Sequence, residues 1–103
     1  MNFNEYQIAA HKTAAYNHNF YPFAGLMEEA GEFAKPFIKR DLRGDDKVIN
    51  HADVMAEAGD VLWMLSESLD QLGIKLEDVA LYNIKKLSDR AERGVIAGDG
   101  DNR

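Results

Sequence analysis

Apolar positions recur along the chain at intervals of three and four, which keeps side chains on one face of an α-helix and does not suit a strand. Four such runs divide the sequence. The first spans about Asn4 to Tyr16, with Tyr6, Ala9, Ala10, Thr13 and Ala14 on one face. "NHNFYP" interrupts it, and Pro22 suits the first turn of a second helix, where a missing N–H costs nothing. Phe23, Leu26, Met27, Ala30, Ala34 and Phe37 form that helix's stripe, and Pro36 predicts a kink or an end near Ala34–Lys35. A polar loop, "RDLRGDDKVIN", leads to Asn50, a candidate cap for a third helix that extends to Leu72 before Gly73. The fourth run covers about Leu76 to Arg93, with Gly94 after it, and the tail from residue 94 to 103 has no periodicity. An all-α fold, built as one domain over residues 1–103, is the expectation.

Two short stretches break the rules for a helix built only for stability. Residues 28–32 read "EEAGE" and residues 56–60 read "AEAGD". Glycine weakens a helix interior by about 1 kcal/mol relative to alanine, and crowded carboxylates repel. At about 100° per residue, Glu29 and Glu32 lie on one flank of the second helix's stripe. Glu57 and Asp60 fall on the matching flank of the third. One acidic i, i+3 pair is ordinarily a solvated face. Two pairs with the same Ala-Gly filler and the same offset point instead to four carboxylates brought together by facing helices. "VLWML" (61–65) is apolar around most of its circumference, so the third helix is expected to be buried on several sides. Gly31 and Gly59 would then let another backbone approach closely. Clustered, partly desolvated carboxylates need cations, and hard oxygen donors select Mg²⁺, Mn²⁺ or Ca²⁺. Glu28 stands beside the first pair, as a base, a group supporting the ligands or an ordinary surface glutamate.

Composition narrows the partners. Eighteen acidic against twelve basic residues give a net charge of −6, which disfavours non-specific binding to nucleic acid or an anionic membrane. With no cysteine there is neither a disulfide nor a thiolate metal site. No signal peptide and no membrane-spanning apolar stretch is evident, so a cytoplasmic protein is expected. On the fourth helix Asn83, Lys86 and Arg90 share one edge, and cations beside a carboxylate–metal cluster fit a phosphate chain. They equally suit the negative end of a helix dipole. Lys35, Lys39, Arg40 and Arg43 read as solvating the end of the second helix. His11, His18 and His51 match no zinc spacing and read as surface or capping residues. Trp63, Phe20, Tyr21 and Tyr82 read as core or subunit-interface residues, with one or two available to stack on a base.

"GLMEEAGEF", "AEAGDVLWML" and "LYNIKKLSDRAERG", in that order, resemble the all-α nucleoside triphosphate pyrophosphohydrolases of the MazG-like superfamily, most closely the short bacterial and phage members. Their EExxE and ExxD signatures map here onto Glu28, Glu29 and Glu32, then Glu57 and Asp60. The resemblance implies a four-helix-type bundle completed by homodimerisation, or a homotetramer of two dimers. It implies Mg²⁺, with Mn²⁺ as a substitute, held by Glu29, Glu32, Glu57 and Asp60. It also implies cleavage of a (d)NTP between its α and β phosphates to (d)NMP and pyrophosphate, with Asn83, Lys86 and Arg90 on the triphosphate. Glu28 or Glu29 would hold or deprotonate the attacking water. Phosphoribosyl-ATP pyrophosphohydrolysis, a cation-binding module without hydrolysis, and a non-catalytic helical adaptor are the competing readings.

Overall fold

Asn2 opens the first helix, α1 (Phe3–His11), with a reciprocal pair of hydrogen bonds. Its side-chain oxygen accepts from the Glu5 N–H at 2.8 Å, and a Glu5 carboxylate oxygen accepts from the Asn2 N–H at 3.1 Å. In this computed structural model residues 1–44 and 49–94 are described; most of the aperiodic tail, 95–103, and part of the polar loop, 45–48, lie outside the described residues. α1 ends well before the expected Tyr16. Thr13 Oγ1 donates to the Ala10 carbonyl at 2.7 Å and the Thr13 N–H takes the same acceptor at 3.0 Å, tightening the chain into a turn.

The second helix, α2 (Tyr21–Arg43), begins with Pro22 in its first turn as expected, and Pro22 is buried. It does not end near Lys35. α2 continues through Pro36 to Gly44, whose φ of 63° closes it. Pro36 and Glu32 are both exposed, so the carbonyl that loses its N–H partner can turn to water. Asn50 caps α3 (His51–Gln71) by accepting from the Ala52 N–H at 2.8 Å. Gly73, at φ 69°, turns the chain into α4 (Leu76–Arg93), and Gly94 at φ 71° follows it. Among the described residues there is no strand; the fold is all-α.

α2 and α3 form an antiparallel hairpin. Gly25 faces Met64, Glu29 faces Glu57 and Asp60, and Phe33 and Phe37 line a 240 Å³ cavity with Asn50 and Val54. The close approach occurs at Gly25, where a Cβ would stand 2.5 Å from Met64 Sδ. Gly31 and Gly59 have nothing within 4 Å of a Cβ position, so the expectation that they admit a neighbouring backbone is not met within this chain. α1 crosses the far end of α3, and α4 packs on α1. Gln7 fastens that junction: its amide donates to the Ile74 carbonyl at 3.1 Å and its Oε1 accepts from the Leu76 N–H at 2.9 Å. Of "VLWML" only Met64 is buried and the rest are half-buried. Apolar side chains remain on the surface, with Met27 at 81%, Leu81 at 65% and Ile84 at 63% exposed.

Candidate active site

Antiparallel packing of α2 on α3 brings three of the four expected carboxylates together. Glu57 and Asp60 leave α3 one turn apart on the same side, and Glu29 comes from the facing turn of α2. One oxygen from each lies within 4.8 Å of the others. Glu29 and Glu57 are half-buried and Asp60 is exposed, so the cluster is walled by protein on one side and open on the other. Partial desolvation raises the Glu29 carboxyl above its ordinary range, and the charges of Asp60, Glu57, Glu28 and Glu32 push it the same way. Three convergent oxygens with no nitrogen or sulfur among them form a donor set that a hard divalent cation can use.

Glu32 sits apart from these three. It is exposed, a turn further along α2, and acts on Glu29 through its charge. Glu28 is exposed beside Glu29 and acts in the same manner. On α4, Asn83 is exposed, Lys86 is half-buried with its ammonium 6.0 Å from the centre of the Tyr82 ring, and Arg90 is buried. The packing that assembles the carboxylates is between α2 and α3, whereas α4 is fixed by α1; the two halves of the expected site are set by different contacts.

The sequence reading missed a second polar cluster at the other end of α3. His11, expected as a surface or capping residue, lies against Glu67 and Asp70. Tyr16 donates to Glu67 at 2.8 Å, and Gln71 donates to the Tyr16 hydroxyl at 3.0 Å. A signal was present. Glu67 stands seven residues beyond Asp60, close to two turns, on the same side of an otherwise apolar stretch. His18 is exposed, as expected of a surface residue, and its Nδ1 accepts from the Phe20 N–H at 3.1 Å in the turn before α2. Of the aromatic residues, Trp63 packs edge-on to Tyr16 at 6.2 Å, and Tyr16 stacks on Tyr21 at 5.3 Å. Phe20 and Tyr82 are exposed.

The family model of the MazG nucleotide pyrophosphohydrolase domain matches residues 22–95, the span that holds α2, α3 and α4. This chain belongs to the MazG family. Its carboxylate cluster falls inside the MazG domain, whereas α1 precedes the matched span. Over 115 aligned positions the chain is 42% identical to the Gene 37 protein of Mycobacterium phage L5, covering the whole of both. It is 39% identical over 75 positions to the uncharacterized protein YvdC of Bacillus subtilis, covering 65% of this chain and 70% of that protein. No solved structure matches. Family membership supports a hydrolase of the pyrophosphohydrolase type. No helix among the described residues is long and apolar enough to cross a membrane.

Proposed function

We propose that this MazG protein is a Mg²⁺-dependent nucleoside triphosphate pyrophosphohydrolase, releasing pyrophosphate and a nucleoside monophosphate. The observation that carries the reading is the convergence of Glu29, Glu57 and Asp60 from two helices of the matched domain. Bound divalent cations would screen these carboxylates from the triphosphate, clamp its oxygens and acidify the attacking water. Glu57 and Asp60 hold fixed positions because they share one face of α3. Glu29, or Glu28 beside it, would take a proton from that water. Glu32, exposed one turn further along α2, would complete the cation set. Lys86 would neutralise the departing pyrophosphate and Asn83 would hold a phosphate oxygen, whereas Arg90, at 3% exposure, would support them through its charge rather than by contact.

The decisive experiment is product analysis after incubation with Mg²⁺ and each of the eight common nucleotides, with phosphoribosyl-ATP in a parallel arm. Monophosphate plus pyrophosphate supports the proposal. Diphosphate plus inorganic phosphate overturns it, and turnover of phosphoribosyl-ATP alone reassigns the substrate.

A pH dependence follows from the charges. A raised carboxyl means that the folded protein disfavours the ionised form, so stability is lost as pH rises through the Glu29 titration. Divalent cations reverse this by pairing with the ionised cluster. Millimolar Mg²⁺ is therefore expected to raise the melting temperature at pH 8 and to have little effect at pH 4.5, as differential scanning fluorimetry would show.

The surface residues Met27, Leu81 and Ile84 support a further part of the reading, that two copies pair to complete the bundle. Sedimentation velocity is expected to give twice the chain mass or a multiple of it. Replacing Leu81 and Ile84 together by aspartate should return the protein to a monomer.

A further inference from the structure

The acidic side of α3 does not stop at the candidate active site. Beyond the point where α2 ends, α1 lies over the same helix and sets His11 against it. His11 Nδ1 is 3.2 Å and 3.1 Å from the two oxygens of Glu67 and 3.2 Å from an oxygen of Asp70. One ring nitrogen carries at most one hydrogen. Three carboxylate oxygens around it are attracted by a cationic ring and left unbalanced by a neutral one. The Glu67 side chain is fully buried, at 0% exposure, whereas the His11 side chain is 53% exposed, so solvent can deliver or remove the proton.

We propose that His11 is a proton-operated clasp: as imidazolium it bridges Glu67 and Asp70 and holds the end of α1 on α3, and on losing its proton it lets the segment from His11 through Tyr16 loosen. Glu67 and Asp70 face the ring from α3. Tyr16, in the segment after α1, donates to Glu67, and Tyr6 on α1 feels the Glu67 charge. Lys12 and Lys75 line the open groove beside the ring. Among these, the hydrogen bond to Glu67 and the charges of Asp70 and Glu67 raise the His11 pKa above its ordinary 6.5. A raised histidine stabilises fully below its unfolded value and loses that contribution as pH climbs through the folded one. The clasp is thus closed in acid and opens on the alkaline side of 6.5. Gln7, which carries no titratable charge, keeps the first turns of α1 attached in both states.

The chain contains its own probe. Trp63 is the single tryptophan, and its indole N–H donates to Thr13 Oγ1 at 3.0 Å, on the segment the clasp controls, and to the Ala10 carbonyl at 3.3 Å, at the edge of that segment. Opening exposes the indole to water. In the metal-free protein, Trp63 emission is expected to shift to the red with a midpoint above pH 6.5, and the His11 ring should titrate at that same midpoint by NMR. Asp70→Asn removes one of the two charges and should move both midpoints down together. His11→Arg, whose guanidinium stays charged throughout, should keep the emission blue across the range and abolish the transition. A wild-type protein with no transition, or with Trp63 and His11 midpoints that disagree, overturns the clasp. So does a transition that persists unchanged in His11→Arg.

Discussion

Replacing Glu57 by glutamine, or Asp60 by asparagine, is expected to cut Mg²⁺-dependent pyrophosphate release by about 100-fold or more. Loss of a group that merely supports a metal ligand commonly costs about 10- to 100-fold, so loss of a ligand itself should reach at least the upper end. Each change keeps the side chain's size and removes one negative charge. The folded protein gains from that removal when no metal is present, because both residues push the Glu29 carboxyl upward by repulsion. The metal-free melting temperature should hold or rise while activity disappears. That combination separates a damaged site from a damaged fold. Pyrophosphate assays and circular dichroism melts measure the two halves, and full activity in both variants would remove the metal assignment.

Gln7→Leu is expected to destabilise the protein by about 2–4 kcal/mol. The buried Gln7 amide satisfies the Ile74 carbonyl and the Leu76 N–H, and each buried polar group left unpaired costs about 1–3 kcal/mol. The Leu76 N–H is one of the unpaired donors of the first turn of α4, and Lys75 at the cap position supplies no side-chain acceptor. A glutamine on one helix thus caps another that begins nearly seventy residues later. Gln7→Glu keeps the acceptor for Leu76 but buries a carboxylate against the Ile74 carbonyl, so at neutral pH its loss should be at least as large as that of the leucine variant. Urea denaturation gives the order directly, and a leucine variant as stable as the parent would contradict it.

Helix starts and stops were legible wherever a short-range device sets them. Asn50, Pro22, Gly73 and Gly94 act on backbone groups within a few residues, and the structure places each where the pattern expected. Pro36 misled because a proline's cost depends on whether the freed carbonyl can reach water, and on exposed α2 it can. Tyr16 misled because the apolar spacing continued after Thr13 had diverted the Ala10 carbonyl. The grouping of Glu29 with Glu57 and Asp60 could be anticipated, since helical periodicity and a short connection make α2 and α3 face each other. Gly25 could not be told from Gly31 and Gly59, because only the register of the hairpin decides which turn meets Met64. The His11–Glu67 pairing joins residues 56 positions apart and depends on where α1 crosses α3, which no local spacing encodes.

The join between α1 and the rest of the chain combines polar bonds, from Gln7, His11 and the indole of Trp63 to backbone or carboxylate partners, with buried carbon at Ala10 and Leu76. Peeling α1 away would wet that carbon and take from α4 the helix it chiefly packs on. Denaturant sensitivity and heat capacity both scale with the surface newly wetted, so lifting the N-terminal segment would loosen α4 in the same step. The α2–α3 hairpin makes its own contacts and can stay shut as a separate cooperative unit.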